Sequence, residues 1–228
     1  MLPFKITSQK PLEEYSLEEL KSGAVFLVDK PLDWTSFQVV NKLRGKIRKL
    51  HKIKKIKVGH AGTLDPLATG LLIICVGNKT KEIELFQGQE KEYTGTFVIG
   101  ATTPSFDLET EIEQRFPVDT INESDLRNAV KILTGDIVQY PPVFSAVKID
   151  GKRAYESARK GEEVKLRPRK VNISKFEIDI SEFPKVHFTI VCSKGTYIRS
   201  IASDFGKSLK NGAYLSSLRR QRIGEYSI

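Results

Sequence analysis

The sequence predicts an α+β fold. Three observations carry the prediction: stretches of strand periodicity come in runs, the helical stretches stand apart instead of alternating strand by strand, and neither an internal repeat nor a low-complexity linker interrupts the chain. With 228 residues, 39% of them hydrophobic, the chain can bury a real core and fit one large domain or two small ones, one domain being the preferred reading.

Ala24-Val-Phe-Leu-Val28 reads as a short buried strand, closed by the turn signal Asp29-Lys-Pro31 because proline cannot continue a ladder. Thr35 or Ser36 caps the helix that follows. In it Phe37, Val40, Leu43, Ile47 and Leu50 recur at three- and four-residue spacing, which predicts one apolar stripe with Lys42, Lys46 and Lys49 off it. Leu71 to Val76 reads as a buried strand, and Tyr93 to Ile99 alternates as a strand does. Asn122 to Gly135 predicts a second helix, capped by Asn122, with Leu126, Val130 and Leu133 inward and a terminating glycine. Phe144 to Ile149, a turn at Asp150-Gly151, Val171 to Ile180 and Val186 to Cys192 are β-like. Tyr197 to Leu209 closes the order as a helix carrying Ile198, Ile201, Ala202, Phe205 and Leu209.

Composition narrows the function classes. The longest apolar run, Leu71 to Val76, is far short of the ~20 residues a membrane helix needs, and the N-terminus has no secretory apolar segment, so a cytoplasmic protein is expected. Cys75 and Cys192, the two cysteines, both lie in apolar stretches and read as buried free thiols. The net charge of +9 is local. Between Asp33 and Asp65 there is no acidic residue, while Lys42, Arg44, Lys46, Arg48, Lys49, Lys52, Lys54, Lys55 and Lys57 carry nine positive charges. A like-charged block at a surface gains most from a polyanion such as nucleic acid or anionic lipid, although a solvated helix face reads the same way.

Just past that block lies Val58-Gly-His-Ala-Gly-Thr-Leu-Asp-Pro-Leu-Ala-Thr-Gly70. It has glycines but no Gly-Lys-Ser/Thr ending and no G-x-G-x-x-G, so nucleotide-phosphate binding has little support. His51, His60 and His187 are scattered without the spacing of a zinc site, so no metal is expected. What remains is one carboxylate, Asp65, between glycines and before Pro66. An Asp-Pro turn is the commonplace reading. The functional reading is a carboxylate held by a rigid scaffold where a polyanion arrives.

The stretch GHAGTLDPLATGLL resembles the signature of the TruB family of pseudouridine synthases. The resemblance extends to Asp29-Lys-Pro-Leu-Asp-Trp-Thr-Ser36, Lys91-Glu-Tyr93, Gln139-Tyr-Pro-Pro-Val-Phe-Ser-Ala-Val-Lys148, Ala158-Arg-Lys-Gly161, Cys192-Ser-Lys-Gly-Thr-Tyr-Ile-Arg199 and Leu218-Arg-Arg220, in family order over nearly the whole chain. It implies a pseudouridine synthase fold, with a mixed, mostly antiparallel central sheet flanked by helices and an RNA-clamping insertion at 141–161. It implies isomerisation of a uridine in the T-loop of tRNA, position 55, by base flipping.

Residue by residue, the resemblance implies that Asp65 is the carboxylate that starts cleavage of the glycosidic bond and that Arg199 is its charge partner. Tyr93 would stack on the uracil, Tyr197 and Leu218 would line its pocket, and His60 would fill the space the flipped base leaves. Asp107 stands where relatives carry an acidic group near the site, although its surroundings depart from the family pattern. Lys42, Lys46, Lys49, Lys148, Lys152 and Arg159 are expected on the RNA backbone, where Lys and Arg contacts give affinity with little sequence content. The expected partner is the tRNA T-arm, met by a monomer with no cofactor, no metal and no membrane. Relatives often continue into a C-terminal RNA-binding (PUA) domain; this chain ends at Ile228, so a single catalytic domain over 1–228 is expected. A non-catalytic RNA-binding module is the rival reading, disfavoured because a carboxylate facing phosphates costs affinity unless chemistry uses it. A synthase acting on ribosomal or messenger RNA would share the chemistry.

Overall fold

The computed structural model describes residues 2–145 and 166–228, together with the backbone of two short strands at 148–149 and 152–153. The chain forms two compact units, Met1–Tyr93 with Leu218–Ile228, and Thr94–Ser217. It is α+β, and the pairings within each unit make the sheet mixed and mostly antiparallel. Among the described residues no helix is long and apolar enough to cross a membrane.

The first unit is built on strands β1 (Ile6–Thr7), β2 (Ala24–Lys30), β3 (Val58–His60) and β4 (Ala68–Val76). β2 pairs antiparallel with β1 and with β4, and β3 pairs antiparallel with β4. The Leu218 end of strand β13 (Ala213–Ile223) runs parallel to the start of β4, with Leu218 opposite Ala68 and Arg220 opposite Gly70. β14 (Tyr226–Ser227) folds back on β13. The unbroken apolar run of β4 follows from burial on both faces. Leu72, Ile74 and Val76 enter one core with Phe26, Val28 and helix α2 (Ser36–Leu50), while Leu71, Ile73 and Cys75 enter another with Phe86 and Ile223. Helices α1 (Leu17–Ser22) and α3 (Ile83–Gly88) complete the unit.

Helix α2 departs from expectation in its rotation. Its buried side chains are Ser36, Val39, Val40, Leu43 and Ile47, whereas Phe37 and Leu50, both expected in the apolar stripe, are exposed. The cause is local. Thr35 takes the capping role in a capping box with Gln38, which leaves the Ser36 hydroxyl free to bond Leu64 and turns residue 36 inward. Burying Val39, Val40, Leu43 and Ile47 contributes on the order of 6–12 kcal/mol before entropy is counted.

The second unit holds the rest of β5 (Lys91–Ile99) and the small pair β6 (Ala101–Thr102) and β7 (Gln114–Arg115). It continues with helix α4 (Glu123–Ile132), then β8 (Gly135–Gln139), the hairpin β9 (Lys148–Ile149) and β10 (Lys152–Arg153), β11 (Arg169–Asp179), β12 (Lys185–Cys192) and helix α5 (Ile198–Ser208). β11 pairs antiparallel with β8 and β12. Its core is aromatic: Phe97 stacks on Phe188 at 4.3 Å and meets Phe176 and Phe205 at 6.3 and 5.7 Å between ring centroids. Asn122 caps α4 as predicted, but the helix ends at Ile132 and Gly135 opens β8 instead of terminating the helix. Residues 144 and 145 form a bend, and of the strand expected at 144–149 the described residues hold β9. The turn expected at Asp150-Gly151 lies outside the described residues. Cys75 and Cys192 are buried free thiols, and burial pushes the Cys75 thiol up to about 11.

Candidate active site around the Asp65 loop

Asp65 sits half-exposed in the connection between β3 and β4, and side chains from elsewhere in the first unit fasten that connection on both sides of it. The Ala61 amide continues the ladder to Ile73 O at 2.9 Å. Arg220, only 1% exposed, sends Nη2 to Gly62 O at 3.1 Å, Nη1 to Thr63 O at 3.4 Å and Nε to Leu71 O at 2.7 Å. Ser36 Oγ accepts from Leu64 N at 2.8 Å and donates to Leu64 O at 3.0 Å. Beyond Asp65, the Pro66 carbonyl accepts from Lys30 Nζ at 3.2 Å and from Asp33 N at 2.9 Å, and Ala68 N closes the turn onto Asp65 O at 3.1 Å. A loop whose main chain is tied at 62, 63, 64 and 66 cannot drift far, so the backbone that carries the Asp65 carboxylate is held in place.

Glycine is required at Gly70, where φ is +100° and a Cβ would collide with the Arg220 main chain. The Leu218-Arg-Arg220 stretch alternates as a strand must. Arg219 points outward to a bidentate pair with Asp29, both nitrogens at 2.9 Å from its oxygens, and Arg220 points inward to the loop. Leu218, half-exposed, lies beside the segment that follows Asp65, and its carbonyl accepts from Thr69 Oγ1 at 3.4 Å.

His60 ends β3, and its Nδ1 is buried with no hydrogen-bond partner among the described residues. Burial, reinforced by the Arg220 charge and only weakly opposed by the Gly62 backbone, holds its imidazole below the usual range, which favours the neutral ring. Tyr93 is 8% exposed, the last residue of the first unit. Lys30 is fully buried with its ammonium on the carbonyls of Pro31, Trp34 and Pro66. Burial pulls its pKa down to about 8, partly offset by Asp65 and Asp33.

Tyr197, Arg199 and Asp107 belong to the second unit. Tyr197 caps α5; the Gln139 side chain accepts from its amide at 2.8 Å and donates to its carbonyl at 3.1 Å, and Arg169 covers its ring at 5.2 Å. Arg199 is 4% exposed. Its Nε lies 3.5 Å from Asp107 Oδ2, and its two terminal nitrogens reach Ser105 O at 3.3 Å and Phe144 O at 2.9 Å.

Of the lysines expected on RNA, Lys42 and Lys49 are exposed, whereas Lys46 is half-exposed and pairs with Glu13. Lys148 and Lys152 fall on the β9–β10 hairpin and their side chains lie outside the described residues, as does Arg159. The fasteners Lys30, Ser36, Arg220 and Gln139 are not among the residues the sequence points to as functional. Each lies inside or beside a motif quoted above, which was the available signal.

Comparison with known proteins gives this geometry its context. The fold is that of a chain in the structure described as "Crystal Structure of a Cbf5-Nop10-Gar1 Complex", which is 25% identical and superposes over 99% of this chain with a TM-score of 0.66. The chain spans 60% of the length of that solved chain. A second, "Structure of H/ACA RNP bound to a substrate RNA containing 2'-deoxyuridine", shares the fold at 23% identity and a TM-score of 0.64. The model for "TruB family pseudouridylate synthase (N terminal domain)" matches residues 48–198. A Flavobacterium johnsoniae protein named "tRNA pseudouridine synthase B" is 58% identical over 92% of this chain and 93% of its own length. A Parabacteroides distasonis protein of the same name is 52% identical over 91% and 88%. The chain belongs to the TruB family of pseudouridylate synthases.

Proposed function

We propose that this chain isomerises uridine to pseudouridine in tRNA, at the T-loop uridine in position 55, in the cytoplasm. Two relatives at 58% and 52% identity bear the name tRNA pseudouridine synthase B, which supports the reading. The observation that carries the chemistry is the fastened loop: main-chain bonds on both sides of Asp65 present one carboxylate at a fixed position.

The target base must leave its stack to reach that carboxylate, at a cost of a few kcal/mol. Asp65 then initiates cleavage of the N1–C1′ bond. The uracil turns, a C5–C1′ bond forms, the C5 proton is lost and N1 takes up a proton, so the product is an isomer and nothing is oxidised or reduced. A fixed carboxylate suits this because the loop does not reorganise as charge develops at C1′. Tyr93 stacks on the uracil, a contact worth ~1–3 kcal/mol. Leu218 supplies an apolar wall, and the neutral His60 ring takes the place of the flipped base. Tyr197 and Arg199 are carried as substrate-binding residues on the resemblance alone, and the stretch 141–161 as the RNA clamp.

Asp65→Asn tests the reading with a T-arm hairpin RNA. The variant is expected to bind the RNA as tightly as the native chain and to form no pseudouridine in a mass-spectrometric assay. Undiminished turnover would refute the role of Asp65.

A further inference from the structure

We propose that the outward strip of α2 carrying Phe37, Asn41, Gly45 and Arg48 seats the RNA strand flanking the target uridine, with Phe37 as a base-stacking platform and Arg48 as a phosphate contact. The proposal rests on the pseudouridine synthase reading and narrows it to one surface.

Residues 37, 41, 45 and 48 share one side of a helix. All four are exposed, opposite the buried Ser36, Val39, Val40, Leu43 and Ile47. Side-chain contacts orient the strip. Arg44, on the same side, donates Nη2 to Val58 O at 2.9 Å and Nη1 to Asn41 Oδ1 at 3.0 Å, so this flank borders β3 and, through His60, the Asp65 loop. The other flank carries Lys46, which turns to Glu13. At the strip's near end Phe37 follows Ser36, whose hydroxyl is bonded to Leu64, the neighbour of Asp65.

Two of these residues have no evident use among the described residues. Phe37 leaves a ring 61% exposed, so it contributes little packing. Gly45 weakens the helix interior, yet a Cβ there would meet nothing within 4 Å among the described residues. An exposed ring stacks on a base, and a missing side chain leaves helix backbone that a phosphate-sugar chain can approach closely. Charge selects the class of partner. The strip lies in the segment between Asp33 and Asp65 that has nine positive charges and no acid, so the partner is a polyanion with flat rings, which is single-stranded RNA. A membrane surface offers the anions without the rings.

The test measures binding of a T-arm hairpin RNA to the full chain and to Phe37→Ala, Gly45→Gln, Arg48→Gln and Leu85→Ala, with thermal melting alongside. Phe37→Ala and Gly45→Gln are expected to weaken binding about tenfold without lowering the melting temperature. Arg48→Gln is expected to shallow the log–log salt dependence by roughly 0.7, and Phe37→Ala to leave that slope unchanged. Leu85, 67% exposed on α3, is the control, and its variant is expected to bind as the native chain does. Native affinity in both Phe37→Ala and Gly45→Gln, or an equal loss in Leu85→Ala, overturns the proposal. So does lost binding to phosphatidylserine vesicles with RNA affinity intact, which would assign the strip to a membrane. Pseudouridine formation by the native chain in the same hairpin separates the two readings. Its absence defeats the proposed function, whereas its presence with native affinity in both variants defeats the strip alone.

Discussion

Lys30 Nζ donates to the Pro66 carbonyl at 3.2 Å, one residue past Asp65, from a side chain with no solvent exposure. Burial lowers its pKa from 10.5 to about 8, so folding costs the charged ammonium something that it does not cost the neutral amine. Between pH 8 and 10.5 the unfolded chain holds a proton on Lys30 that the native chain has released. Stability contributed by this residue therefore rises with pH across that window, and the penalty is constant below it. Relative to Lys30→Met, the native chain is expected to gain about 2 kcal/mol between pH 7.5 and 9.5 in urea melts. A difference that is flat or falls with pH would sink this account of Lys30.

Arg220 carries the other half of the fastening, with a guanidinium on Gly62, Thr63 and Leu71 carbonyls. A lysine keeps the charge but cannot span three acceptors in one plane. Arg220→Lys is expected to fold and to bind RNA, yet to form pseudouridine at least roughly tenfold more slowly in single turnover, because the loop shifts the carboxylate. A native rate in that variant would show that the loop holds itself.

How far these features were legible in the sequence depends on the range of the contacts. The apolar run Leu71–Val76 and the capped helix from Ser36 were readable because their signals are local. The rotation of α2 is not legible because an apolar count places Phe37 inward, whereas Ser36 is turned inward by a bond to Leu64, 28 residues away. Strand β13 is not legible because a buried Arg220 breaks its hydrophobic alternation, and that arginine's loop partners lie 157 and 158 residues away. Asp65 stood out through its motif, but the side chains that hold its loop are defined only by long-range pairing.

Two glycines predict opposite outcomes for the same substitution. Gly45 lies in an open helix face, so Gly45→Ala is expected to stabilise the protein by about 1 kcal/mol. Gly70 has φ +100° and sits against the Arg220 main chain, so Gly70→Ala is expected to cost roughly 3 kcal/mol and to disturb the register of β4 on β13. Thermal melts of the two variants decide the matter; equal shifts would mean that the backbone at residue 70 relaxes freely.

In the second unit, Arg199 and Asp107 form an ion pair with side chains 4% and 7% exposed. Asp107 is itself fixed: Oδ1 accepts from Glu109 N at 3.0 Å, and its carbonyl accepts from Thr103 Oγ1 at 2.6 Å and Ser105 Oγ at 3.2 Å. A carboxylate so anchored sets where the guanidinium lies, and removing its charge while keeping its shape isolates that effect. Asp107→Asn is expected to destabilise the protein by about 3 kcal/mol, since it withdraws a counter-charge from a desolvated cation. In a double-mutant cycle with Arg199→Met, the paired variant is expected to lose at least about 1 kcal/mol less than the two single losses combined. Additivity within about 0.5 kcal/mol would show that the two charges do not act on one another, and that contacts such as those to the carbonyls of Ser105 and Phe144 position Arg199 instead.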